Sequence, residues 1–235
     1  MHHFFSREID NDLIRLDEEE SRHCVKVMRL GIGSEVLVMD GLGKLYKCEV
    51  RTTGKRVELN PLEVLANQAE PVFNLTLAVS PTKSADRMEW MLEKLVEVGI
   101  QKLVFIKSEK GERSRLNTKR LHKKAVSALK QSGNLWLPTI ETEVGFKDFV
   151  TSDSSGNKFI AHCFDKDKVQ IDGSVPQSDV TVMIGPEGDF SEREIELAQQ
   201  NGYAPLALGL PRYRTETAAL VACTLLNHFY VTLAK

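Results

Sequence analysis

The chain has no apolar run approaching the roughly 18–20 residues that a membrane-spanning helix requires. Its longest such stretch, Ala218 to Leu226, is interrupted by Thr224. The segment Met1-His2-His3-Phe4-Phe5-Ser6-Arg7-Glu8 lacks the basic part, the apolar part and the small-residue cleavage site of a signal peptide, so the expected address is cytoplasmic. Cysteine is sparse: Cys24, Cys48, Cys163 and Cys223 form no C-x-x-C pair, which speaks against a zinc ribbon or a redox motif and for buried thiols. The six histidines include no H-E-x-x-H, and no metal site is expected. There is no Walker A sequence and no G-x-S-x-G. Gly31-x-Gly33 and Gly41-x-Gly43 lack the third glycine of G-x-G-x-x-G, which argues against a nucleotide-dependent oxidoreductase. An excess of positive charge is also missing. With 31 Lys and Arg against 33 Asp and Glu, the formal net charge is −2, unlike a protein that coats nucleic acid indiscriminately.

What remains is ordinary in bulk. The 235 residues are 42% hydrophobic and 27% charged, the balance of a globular chain of one or two domains. That length can bury a core without disulfides or metal. The first ~65 residues are β-rich. Glu35 to Asp40, Leu45 to Val50 and Arg56 to about Leu65 read as strands separated by glycine-bearing turns, the mark of a meander or small barrel. Glu19 to Leu30 reads as a helix ending at Gly31. Ala66-Asn67-Gln68-Ala69-Glu70-Pro71 has linker composition, which sets domains of residues 1–70 and 71–235. Thereafter strands (Leu75 to Val79, Leu103 to Ile106, Phe159 to Cys163, Val180 to Ile184, Pro205 to Leu208) alternate with helices (Ser84 to Val98, Thr118 to Gln131, Ser191 to near Gly202, Thr215 to Leu233). Thr151 to Asn157 reads as a polar loop. That alternation predicts an α/β domain with a mostly parallel sheet covered on both faces, and such sheets bind ligands at the carboxyl ends of their strands.

Charge is unevenly placed. From Lys107 to Lys130 there are nine Lys and Arg against Glu109 and Glu112, a net of +7, which leaves −9 for the rest. A localised patch on an acidic background suggests a polyanion bound at one place, and a solvated helix face is the plainer alternative.

Two segments between strand and helix stand out. Ile184-Gly185-Pro186-Glu187-Gly188-Asp189-Phe190-Ser191 leaves an apolar strand and enters a helix opened by the capping box Ser191-Glu192-Arg193-Glu194. Its glycines let backbone approach a ligand closely. The second segment is Leu208-Gly209-Leu210-Pro211-Arg212-Tyr213-Arg214-Thr215-Glu216-Thr217-Ala218. Each alone is compatible with a tight turn and a helix cap.

In this order the two segments resemble the ribosomal RNA small subunit methyltransferase E family, of the trefoil-knotted SPOUT class. Its pattern is I-G-P-E-G-G-F-S-x-x-E-I followed by L-G-x-R-I-L-R-T-E-T-A. The chain matches from Ile184 to Ile195 except at Asp189, and again at Leu208-Gly209 and from Arg214 to Ala218. Pro211-Arg212-Tyr213 departs from the pattern and displaces one arginine. Phe4-Phe5, Ser21-Arg22-His23, Val27 to Leu30, Gly33, Lys94 to Gly99 and Gln131-Ser132-Gly133 with Pro138 extend the likeness over essentially the whole chain.

The resemblance implies a PUA-like β-barrel before a knotted α/β domain with a parallel sheet, working as a homodimer; the apolar character of the C-terminal helix makes that helix the candidate interface. It implies methyl transfer from S-adenosylmethionine to N3 of a decoding-region uridine of 16S rRNA, within the small ribosomal subunit. Ile184, Gly185, Pro186, Glu187, Gly188, Leu208, Gly209, Leu210, Thr215, Thr217 and Ala218 would hold the cofactor. Arg214 would stabilise charge on the uracil carbonyls, and Glu216 would either orient Arg214 or act as general base. Arg7, Arg22, Lys26, Arg29, Arg113, Arg115, Lys119, Arg120, Lys123, Lys124 and Arg212 would contact RNA. A SPOUT enzyme for another RNA position and a non-catalytic RNA-binding module are the competing readings.

Overall fold

The computed structural model describes residues 1–10, 12–71, 73–111, 116–152, 155–164, 167–171 and 179–233. Two compact units divide the chain. One comprises residues 1–70 with 126–137, the other 71–125 with 138–235.

The first unit holds β1 (His3–Phe5), β2 (Glu8–Asp10), β3 (Leu13–Arg15), α1 (Glu18–Arg22), β4 (Glu35–Met39), β5 (Lys44–Thr52) and β6 (Glu58–Asn67). They form one sheet in the order β1-β4-β5-β6-β3-β2. The edge strands β1 and β2 are separated in sequence by Ser6 and Arg7 alone. So short a connection spans at most about 11 Å, so the sheet must curl until its edges approach. Ser6 seals that seam. Its amide donates to the Met39 carbonyl at 3.1 Å and its hydroxyl to the Arg15 carbonyl at 2.6 Å. Phe4, Ile14, Leu16, Val36, Val38, Val50 and Leu59 fill the interior.

The helix expected from Glu19 to Leu30 is shorter. α1 is capped by the Asp17 carboxylate, which accepts from the Glu20 amide at 2.8 Å, and gives way to a π-helical turn, His23–Val27. Arg29 then takes a left-handed φ of 55°, which ends helical winding before Gly31. Residues 126–137, which the division at 70/71 would place in the second domain, contact the first unit. Lys130 Nζ lies 2.5 Å from Glu20 Oε1, and the Phe5 amide donates to Glu20 Oε2 at 3.2 Å.

The second unit holds β7 (Leu75–Val79), α2 (Ala85–Val98), β8 (Lys102–Lys107), α3 (Thr118–Ser132), β9 (Thr139–Gly145), α4 (Phe146–Thr151), β10 (Asn157–Ala161), β11 (Val169–Gln170), β12 (Val180–Ile184), α5 (Glu192–Gln200), β13 (Ala204–Ala207) and α6 (Thr215–Leu233). Residues 126–132 of α3 count with the first unit. The sheet runs β11-β13-β10-β12-β7-β8-β9, and every neighbouring pair is parallel. Strand β12 is buried at all five positions, as expected of a central strand covered on both faces. α2 and α6 pack together and α6 lies on β7 and β12, while α4 and α5 pack together. Ser84 caps α2 by accepting from the Arg87 amide at 3.3 Å, and Gly99 ends it with a φ of 99°. The Ser191–Glu194 capping box of α5 is present in both directions. No helix among the described residues is long and apolar enough to cross a membrane.

Three cysteines are buried as expected, and Cys163 is not. β10 ends at Ala161, so Cys163 lies beyond the protected strand. Burial pushes the Cys48 and Cys223 thiols up to about 12, and burial with the nearby Glu20 carboxylate raises Cys24. At pH 8 a thiol-disulfide reagent is therefore expected to label Cys163 rapidly in the native protein and the other three only on unfolding. Mapping the labelled cysteine by peptide mass spectrometry checks this.

Candidate active site: a cavity at the strand ends

The two sequence segments meet at the carboxyl ends of β12 and β13, the two strands that flank β10. Ala161 of β10 is in register with Ile184 of β12 and with Leu206 of β13. The chain leaving those three strands walls a cavity of about 460 Å³. Its size falls in the usual range for small-molecule sites.

The first wall begins at Ile184 and turns at Pro186, whose carbonyl accepts from the Asp189 amide at 2.9 Å. Gly185 is favoured by close approach: a Cβ there would stand 3.2 Å from both the Phe190 amide nitrogen and its ring. Phe190 itself is fully buried and packs on Phe146. Lys110 Nζ donates to the carbonyls of Gly188 and Phe190 at 3.3 and 3.4 Å.

The second wall runs from Leu206 to Thr215. Gly209 has a φ of 147°, and a Cβ there would meet the Tyr213 hydroxyl at 2.8 Å. The walls are joined twice. The Thr215 hydroxyl donates to the Gly185 carbonyl at 2.9 Å, and Arg212 Nη2 to the Glu187 carbonyl at 3.2 Å. A third wall, Ala161, His162 and Cys163 with Lys168, follows β10.

Of the expected cofactor residues, Ile184, Gly185, Pro186, Glu187, Leu208, Gly209, Leu210, Thr215 and Ala218 line the cavity, as do Arg212 and Arg214. Gly188, Thr217 and Glu216 do not. A helix advances about 100° per residue, so Thr215 and Ala218 share a face of α6 while Glu216 and Thr217 fall on others. Glu216 is 7% exposed. Its Oε1 is 3.7 Å from Arg87 Nε on α2, and Arg87 Nη1 is 3.8 Å from Glu187 Oε1. The ion pair described for Glu216 is thus with Arg87 and not with Arg214.

The expected RNA contacts are scattered. Arg7, Arg22, Lys26 and Arg29 are exposed on the first unit, with Arg7 stacked over Phe5 at 5.8 Å. Arg113 and Arg115 lie outside the described residues. On α3, Lys119, Arg120 and Lys123 are exposed and Lys124 is half-buried. Arg120 Nε lies 2.5 Å from Glu89 Oε1 and Lys124 Nζ lies 3.4 Å from Glu93 Oε2, so two of these cations already serve the fold. The third wall was not expected as part of the site, and Tyr213 figured in the sequence only as a departure from the family pattern. The rule that ligands gather at strand ends points to them only once strand order is known.

Residues 68–227 match the RNA methyltransferase domain family, and residues 16–62 match the RNA methyltransferase PUA domain family. A ribosomal RNA small subunit methyltransferase E from Aquifex aeolicus is 29% identical over 97% of this chain and all of its own. The crystal structure of a probable rRNA-methyltransferase from Porphyromonas gingivalis superposes with a TM-score of 0.89 at 34% identity, covering 99% of this chain and 100% of that one. A ribosomal RNA small subunit methyltransferase E from Neisseria gonorrhoeae, bound to S-adenosylmethionine, does so at 0.82 and 27% identity, covering 97% of each chain. The fold is thus the expected one, a PUA-like domain before a knotted SPOUT-class α/β domain.

Replacing Thr215 by Val keeps the side-chain shape and removes the hydroxyl that joins the two walls. The expected cost is about 1 kcal/mol, with Thr215→Ser restoring most of it, measured by urea denaturation.

Proposed function

The chain belongs to the ribosomal RNA small subunit methyltransferase E family, and from that premise we propose that it uses S-adenosylmethionine to methylate N3 of a decoding-region uridine in 16S rRNA. The observation that carries this reading is the cavity itself. Both family segments wall it, and Arg214 stands on its lining.

The residues present suit the cofactor. Gly185 and Gly209 let the backbone of the two walls pass close to Phe190 and Tyr213, where a Cβ would meet those residues. Ile184, Pro186, Leu206, Leu208 and Leu210 offer apolar surface of the kind an adenine requires, next to exposed backbone. When bound, S-adenosylmethionine supplies a methyl group already activated on a sulfonium. The protein's part is then to place donor and acceptor.

Uridine N3 carries a proton between two carbonyls and lies on the Watson–Crick edge. The base must be unpaired or flipped to reach the cavity. Its proton must leave before N3 becomes a useful nucleophile. Arg214 is placed to stabilise the negative charge that then spreads onto the carbonyl oxygens. Glu216, buried and paired with Arg87, we assign to holding the start of α6 and not to taking the proton. The exposed Arg22, Lys26 and Arg29, at the end of α1 and just beyond, are the favoured RNA contacts of the first unit. Two copies of the chain, meeting through α6, form the proposed working assembly.

Small ribosomal subunits lacking the modification, incubated with the protein and isotopically labelled S-adenosylmethionine, should yield labelled 3-methyluridine by nucleoside mass spectrometry. A different labelled nucleoside would discard the target, and no label with no cofactor binding would favour a non-catalytic RNA-binding module. In the same assay Arg214→Ala should lower the rate about 10²- to 10³-fold with cofactor affinity unchanged. Arg22→Gln with Lys26→Gln should weaken RNA binding and reduce its salt-dependence slope by roughly one per cation removed, read from binding isotherms at several salt concentrations.

A further inference from the structure

The third wall of the cavity is held differently from the other two. The ladder between β10 and β12 stops at Ala161 and Ile184. Beyond it the amide of Cys163 meets the first wall through the side chain of Asp189. Asp189 Oδ2 accepts from the Cys163 amide at 2.7 Å. Asp189 Oδ1 accepts from the amide of its own neighbour, Phe190, at 2.8 Å. The second bond fixes the carboxylate plane against a fully buried residue, and so aims the other oxygen across the gap. Asp189 has a φ of 62°, in the left-handed region that glycine enters freely and that Asp and Asn tolerate better than other residues. A glycine here would satisfy the backbone. The carboxylate therefore does something that the turn alone does not need. Asp189 and Cys163 both line the cavity.

We propose that Asp189 is a positioning residue that clasps the chain after β10 to the Ile184–Asp189 turn and so pre-forms the cofactor cavity. The proposal rests on the cofactor reading above. A carboxylate accepts at both oxygens, whereas an asparagine amide accepts at one. The clasp acts on binding, because a wall already in place need not be ordered when the ligand arrives.

Three proteins test it: the wild type, Asp189→Gly and Asp189→Asn, both replacements being compatible with the positive φ. Backbone amide exchange at Cys163 should accelerate in Asp189→Gly whether or not a ligand is present. The dissociation constant for S-adenosylmethionine, by calorimetry, should rise about tenfold in Asp189→Gly, with kcat at saturating cofactor within about twofold of wild type. Asp189→Asn, which retains one of the two bonds, should fall between. Unchanged exchange at Cys163 would overturn the clasp. Faster exchange with unchanged cofactor affinity would overturn its role in the cavity. A wild type that binds no S-adenosylmethionine would instead overturn the cofactor reading, and with it the binding half of this proposal.

Discussion

Register in the parallel sheet decides where the candidate site can be. Ala161 is matched to Ile184 on one side and to Leu206 on the other. Three strands therefore end at one level, and the three segments that follow them start from a common line. A slip of one residue in β12 would reverse its side chains between two buried faces. Met183 packs with Phe190, Ile195 and Tyr203, so such a slip would break a filled interior. The loops are irregular, but the line they spring from is not free to move.

Electrostatics divides the basic stretch into cations used by the fold and cations left to solvent. α2 presents Asp86, Glu89 and Glu93, and α3 answers with Arg120 and Lys124. Glu89 is buried, and Arg120 is the cation that compensates it. Exposed pairs contribute little, about 0–1 kcal/mol each, but they lower the field that a polyanion would feel. A count of Lys and Arg along the sequence overstates the patch for this reason. Arg22, Lys26 and Arg29, expected as RNA contacts of the first unit, are each exposed.

The elements most legible in the sequence were those with a strong local signal. α2 lies between its cap Ser84 and its stop Gly99, and α5 starts at its capping box. The two motif segments were legible as strand-to-helix turns, and nine of their eleven cofactor positions line one cavity. Short elements were not legible. β1, β2 and β3 have three residues each, too few for a period to register, and they exist because the curled sheet pairs them. β9 and α4 adjoin without an intervening loop, so no turn signal marks their border. The third wall was invisible because β10 and β12 are neighbours only through long-range pairing. Asp189 read as a departure from a pattern, and its φ shows that the position suits glycine or a residue tolerant of the left-handed region.

The strand order also has a consequence in time. β7 pairs with β12, about a hundred residues further along, and β12 enters between β7 and β10 while β13 enters between β10 and β11. During synthesis the centre of the sheet stays open until the chain beyond Ile184 has left the ribosome. Loop closure over such distances is slow, and the exposed edges of β7 and β10 invite pairing with other chains meanwhile. Folding is thus a late event, and the nascent chain depends on whatever shields those edges until its final third arrives.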